Sequence, residues 1–159
     1  MINLKYVRYL WRVNFNKKND MDNPFKKILG VTLCIFGGLA VIMGAFGAHA
    51  LKESLSATAI SSYETAVLYQ MIHVLAGLYA ISRTHPYSKW IPWAAVGFIL
   101  GIILFSGSLY LLSTRELTGW GVQWMGPVTP IGGLSFILGW ICLAIAHLKG
   151  NIGEKPGLE

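Results

Sequence analysis

Glu64, Gln70 and His73 stand inside one apolar stretch, Tyr63 to Ser82. Carboxylate, carboxamide and imidazole are groups that accept, donate or relay protons. Steps of three and four residues put Tyr63, Ala66, Gln70, His73 and Gly77 on one helical face, with Val67, Met71, Leu75 and Leu78 opposite. A polar side chain in hydrocarbon is costly and turns toward the bundle or a wet cavity. Tyr63, Gln70 and His73 are therefore expected to point inward. They would line a polar pocket or a proton-accepting site, or they would simply hydrogen-bond between helices and fix the packing. The packing role is the preferred reading.

A second group lies at the outer ends of the apolar segments. His49 closes the first segment and Glu64 opens the second, so an antiparallel hairpin brings them to one depth, where Thr129 at the start of the fourth segment can join them. An imidazole beside a carboxylate makes an acid–base pair. The plainer alternative is two interfacial residues facing water and headgroups, with Lys52 and Glu53 as competing partners.

Other chemistry finds little support. Bis-histidine haem ligation needs two histidines at one depth. His73 lies nine residues beyond Glu64, or roughly 13 Å at 1.5 Å per residue, whereas His49 is at the rim, His85 in a turn and His147 at the far end of the last segment. No metal site and no cofactor are expected. Cys34 and Cys142 fall in apolar segments and read as small packing residues. There is no G-x-S-x-G elbow, no H-E-x-x-H and no phosphate loop.

The elements that must position these residues follow from composition. In 159 residues, 54% are apolar and 13% charged, against about 25% charged in a soluble domain. So short a chain cannot hide that much apolar surface in a soluble core, and an all-α integral membrane protein is expected. Spans are predicted at about 28–50, 63–82, 90–112 and 130–147, making one domain over 28–148. A basic segment, 1–27, precedes it and a polar tail, 149–159, follows. The leader contains Leu4 to Phe15, a candidate helix for the membrane surface. It is otherwise a loose tail, or an extension upstream of a natural start at Met21. Ala48-His49-Ala50 mimics a signal-peptidase site, but the preceding apolar run is longer than an h-region.

The segment before residue 28 holds seven Lys and Arg. The turn between spans two and three adds Arg83 and Lys89, and the tail adds Lys149 and Lys155, making eleven of the thirteen on one side. The positive-inside rule then puts both termini in the cytoplasm. The same distribution explains the net charge of +6 without nucleic-acid binding. Small residues recur at helical spacing: Gly37 and Gly44 on span one, Gly97 and Gly101 on span three, Gly132 and Gly139 on span four. Such stripes let transmembrane backbones approach closely. There are more of them than one four-helix bundle needs, so some are expected to face another protomer or a partner protein.

The stretches GAFGAHALK, YETAVLYQMIHVLA, GIILFSGSLYLL and PVTPIGGLSFILGW occur in this order. They resemble the bacterial domain of unknown function 423 family, which is related to eukaryotic transmembrane protein 256. The resemblance covers about 28–147 and not the leader before Met21. It implies a small four-helix protein of the bacterial inner membrane and carries no family catalytic residues. Three functions are expected in order. The first is an accessory or binding membrane protein, or a subunit of a larger complex, in contact with membrane lipids. The second is an oligomeric carrier or channel for a small solute or proton-linked substrate, with Gln70 and His73 on its path and His49, Glu64 and Thr129 at its mouth. The third is a membrane enzyme using His49 and Glu64 on a lipid-like substrate.

Overall fold

The computed structural model describes Val7 and residues 23–82 and 89–150. The basic leader with its candidate surface helix and Met21, the turn containing His85, and the tail after residue 150 lie outside the described residues. Four helical spans result, Pro24–Leu51, Ala57–Ser82, Trp90–Thr118 and Gln123–Lys149, each long and apolar enough to cross a bilayer. The protein is a four-helix transmembrane bundle.

Helix α1 is Pro24–Phe46. The Asn23 side chain accepts a hydrogen bond from the Phe25 N–H at 2.9 Å, and Pro24 sits in the first turn, where its missing N–H is not needed. The helix runs on into a π-helical turn, Gly47–Leu51. Helix α2 is Ala57–Ser82, beginning six residues before the predicted apolar boundary at Tyr63. Ser56 explains the early start, because its hydroxyl accepts from the Ala59 N–H at 3.3 Å and its carbonyl from the Ile60 N–H at 2.9 Å. The third span is α3, Trp90–Gly101, then a π-helical turn, Ile102–Ser106, then α4, Gly107–Thr118. It ends six residues beyond the predicted Leu112. In that polar extension the Ser113 and Thr114 hydroxyls fold back onto the carbonyls of Leu109 and Tyr110, at 2.6 and 2.8 Å. Gly119, at φ 67°, then turns the chain out of the helix. Helix α5 is Val128–Gly150.

The spans do not pack on one another equally. Helix α1 packs chiefly on α2, α2 also packs on the third span, and the third span packs on α5. The main core joins Val74 and Ala80 of α2, Ala94 and Phe98 of α3, and Phe136 and Leu143 of α5. Only 17% of the apolar window of the first span is buried, against 39% for the second, so α2 is central and α1 peripheral.

Each glycine stripe meets a neighbour, but not equally. A Cβ at Gly37 or Gly44 would sit 3.3 Å from the side chains of Val74 or Val67. At the crossing of α3 and α5 the contact is backbone against backbone: a Cβ on Gly97 would lie 2.9 Å from the Gly139 Cα. A Cβ on Gly132 would strike the Phe105 backbone, and one on Gly101 the Phe136 ring. The third and fourth spans are therefore the closest pair, and they form the frame on which α2 is mounted.

Candidate functional site

The polar face of α2 is buried as expected, with Tyr63, Gln70 and His73 only 1, 3 and 5% exposed. They do not share one pocket. Tyr63 donates its hydroxyl hydrogen to the Met43 carbonyl of α1 at 3.1 Å, and its ring packs on Tyr110 with centroids 4.9 Å apart. Tyr110 donates to the Gln70 carboxamide oxygen at 2.9 Å. The Gln70 nitrogen donates to the Phe36 carbonyl at 2.7 Å. A helical carbonyl has a second lone pair, so Phe36 accepts this bond without leaving its own ladder. The result is a cross-tie from α4 through α2 to α1, which uses both ends of the Gln70 amide.

His73 is turned the other way, toward α5. The Trp140 indole N–H donates to His73 Nε2 at 3.2 Å. An indole nitrogen can only donate, so Nε2 is the acceptor and Nδ1 carries the hydrogen. That Nδ1–H donates to the Tyr69 carbonyl one turn back, at 2.7 Å. The imidazole lies flat on Phe136, with centroids 3.5 Å apart and planes inclined at 13°, and the rings of Tyr69, Phe98 and Trp140 complete the enclosure. Both ring nitrogens are engaged.

The outer-rim residues are not joined. His49 and Glu64 are both exposed, and among the described residues no hydrogen bond or ion pair links them. The π-helical turn at Gly47–Leu51 holds an extra residue and rotates His49 about the helix axis. The early start of α2 also carries Glu64 almost two turns into that helix. Thr129 lies in the first turn of α5, where its hydroxyl pairs with Ser108 at 2.7 Å and not with His49 or Glu64. Among the described residues no three His, Cys, Asp or Glu side chains gather as metal ligands do.

The model of the family described as "Protein of unknown function (DUF423)" matches residues 43–133. The UPF0382 inner membrane protein YgdD of Escherichia coli K12 is 38% identical over 116 residues, covering 72% of this chain and 85% of that protein. The chain belongs to the DUF423 family. Two further relatives are 43% identical: a UPF0382 membrane protein of Staphylococcus epidermidis over 111 residues, 70% of this chain and 87% of the relative, and UPF0382 membrane protein SSP2132 of Staphylococcus saprophyticus over 115 residues, 70% and 88%. No solved structure matches.

The DUF423 match takes in Met43, Tyr63, Gln70 and Tyr110 and the Ser108–Thr129 pair, while Phe36 and Trp140 lie outside it. Sequence reasoning missed Tyr110 and Trp140 as partners. The signal available was chemical: a Tyr or Trp buried in hydrocarbon needs somewhere to put its O–H or N–H. Ser106 falls within the stretch GIILFSGSLYLL. It is fully buried at the end of the π-helical turn, and its hydroxyl has no hydrogen-bond partner among the described residues. At the end of the bundle where the first span turns into the second, it opens into an apolar cleft of about 380 Å³ between Met43 and Phe46 on one side and Leu111, Thr114 and Leu117 on the other. Tyr63 and Tyr110 also line this cleft, although their hydroxyls are committed to Met43 and Gln70.

The cross-tie makes a direct prediction. Gln70→Leu removes two interhelical hydrogen bonds and is expected to destabilise the protein by about 1–2 kcal/mol, and Tyr110→Phe by about 0.5–1 kcal/mol. Unfolding in mixed micelles by titrated dodecyl sulfate measures both. Equal stability of Gln70→Leu and the wild type would show that the amide holds nothing together.

Proposed function

We propose that this protein is an accessory subunit of a larger assembly in the bacterial inner membrane, either a complex with other proteins or a homo-oligomer, with both termini on the cytoplasmic side. The observation that carries this reading is the full engagement of the polar face of α2. Gln70 and His73 use their polar atoms on Phe36, Tyr110, Tyr69 and Trp140. A transport path would need such groups turned to water. An acid–base enzyme would need His49 and Glu64 in contact. What this DUF423 protein offers instead is surface. The peripheral helix α1 presents Val31, Ile35 and Ile42 outward, and a Cβ at Gly38 would meet nothing within 4 Å. Small residues on an exposed transmembrane face permit close approach of another helix. The orientation rests on the distribution of Lys and Arg.

Site-specific photocrosslinking from Ile35 in intact cells, followed by purification in mild detergent, tests the proposal. A discrete crosslinked species of higher mass is expected. Recovery of the monomer alone, in cells and in detergent, would overturn it. Flux measured in proteoliposomes separates the transport reading: solute or proton flux that His73→Ala and Glu64→Ala abolish would favour a carrier.

A further inference from the structure

One rim of the bundle gathers positive charge on an aromatic platform. The Lys89 ammonium lies 5.8 Å from the centroid of the Trp90 ring and the Lys149 ammonium 5.3 Å from it. These lysines come from different spans, one at the start of the third and the other at the end of the fourth. Close by in sequence, His147 pairs with Tyr79 at 3.1 Å and the two rings stack at 15°, tying the end of α2 to the end of α5. The described carboxylates, Glu53, Glu64 and Glu116, all belong to the opposite end of the bundle.

We propose that Lys89 and Lys149, converging over Trp90, bind the phosphodiester of an anionic phospholipid headgroup. Two ammonium groups over one ring add their positive potentials, which favours an anion beside them. Tryptophan sits by preference at headgroup depth, and lysine stems lie along apolar surface while the charged ends reach the interface. Basic pockets between transmembrane helices are a recurring way to hold acidic lipid heads. The partner is a lipid rather than a free anion because the platform is an interfacial aromatic between two apolar spans. This inference does not depend on the accessory role, nor on which side of the membrane the rim faces.

The full-length protein, reconstituted in nanodiscs of phosphatidylcholine with a minority of phosphatidylglycerol, tests the site. Native mass spectrometry of the released protein is expected to show phosphatidylglycerol enriched about tenfold over its share of the bilayer. Lys89→Gln with Lys149→Gln removes the enrichment, Lys89→Arg with Lys149→Arg keeps it, and Lys52→Gln at the other rim leaves it unchanged. Enrichment that survives the double glutamine substitution, or its absence in the wild type, overturns the proposal. A second measurement needs no lysine variant. The Trp90 fluorescence, isolated by difference from Trp90→Phe, is expected to be quenched more by brominated phosphatidylglycerol than by brominated phosphatidylcholine. Equal quenching counts against the site. Inorganic phosphate is expected to give no thermal stabilisation in detergent where phosphatidylglycerol does, and equal stabilisation would overturn the lipid assignment.

Discussion

His73→Ala is expected to destabilise the bundle by about 3 kcal/mol, one of the two largest effects among the substitutions considered. Three losses combine. The imidazole leaves a cavity among Phe98, Phe136 and Trp140. The flat stack on Phe136 goes with it, and the half-exposed Trp140 N–H is left at apolar depth without an acceptor. The test that separates packing from proton chemistry is the pair of substitutions taken together. His73→Phe alone keeps a ring but orphans the indole, and is expected to cost about 1–2 kcal/mol. His73→Phe with Trp140→Phe removes donor and acceptor at once and should recover most of that loss, because replacing both partners with apolar groups of similar shape is nearly neutral. The double-mutant cycle is expected to show a coupling of about 0.6–1.7 kcal/mol, read by dodecyl sulfate titration. A coupling of zero would mean that the Trp140–His73 hydrogen bond holds nothing together. If the double variant were stable but had lost a cellular phenotype of the wild type, His73 would have a chemical role that the packing account denies.

The four spans were legible because hydrocarbon imposes length and apolarity on any helix that crosses it. Their ends were less so, for a reason visible in particular residues. Ser and Thr before Tyr63 and after Leu112 read as loop, yet the Ser62, Ser113 and Thr114 hydroxyls each donate to the carbonyl four residues back. That local bond lets a polar sequence continue an apolar helix. The inward face of α2 was legible from spacing alone. Which helix each residue faces was not, because Gln70 and His73 share a stripe while α1 and α5 approach it from different sides. Tyr110 and Trp140 were missed because an aromatic at helical spacing looks the same whether it faces lipid or a buried acceptor. The outer pair of His49 and Glu64 assumed regular helices, and a π-helical turn leaves no trace in hydropathy that marks where the phase shifts.

Two adjacent glycines offer the second large effect and a control within the same turn of helix. Gly132→Ala is expected to destabilise the protein by about 2–3 kcal/mol, and Gly132→Val by more. The added Cβ meets the backbone of Phe105 and Leu104 in the π-helical turn of the third span. Backbone cannot rotate aside as a flexible side chain does, so the two spans must part. Parting them strains the neighbouring Ser108–Thr129 hydrogen bond and loosens Phe136 against Phe105. Gly133 differs by one position, and its Cβ would find only the edge of the Phe105 ring at 3.9 Å, an ordinary contact. Alanine there is expected to be neutral or to stabilise by up to about 1 kcal/mol, since it restricts the unfolded chain and favours helix. The spacing of small residues selects Gly132 and passes over Gly133, so the comparison also tests whether the stripe marks real backbone contact. Equal effects at both positions in the same denaturation assay would show that the third and fourth spans are not held at the separation described. A large loss at Gly132 alone would show that the two backbones are in contact at the π-helical turn as well as at Gly97 and Gly139.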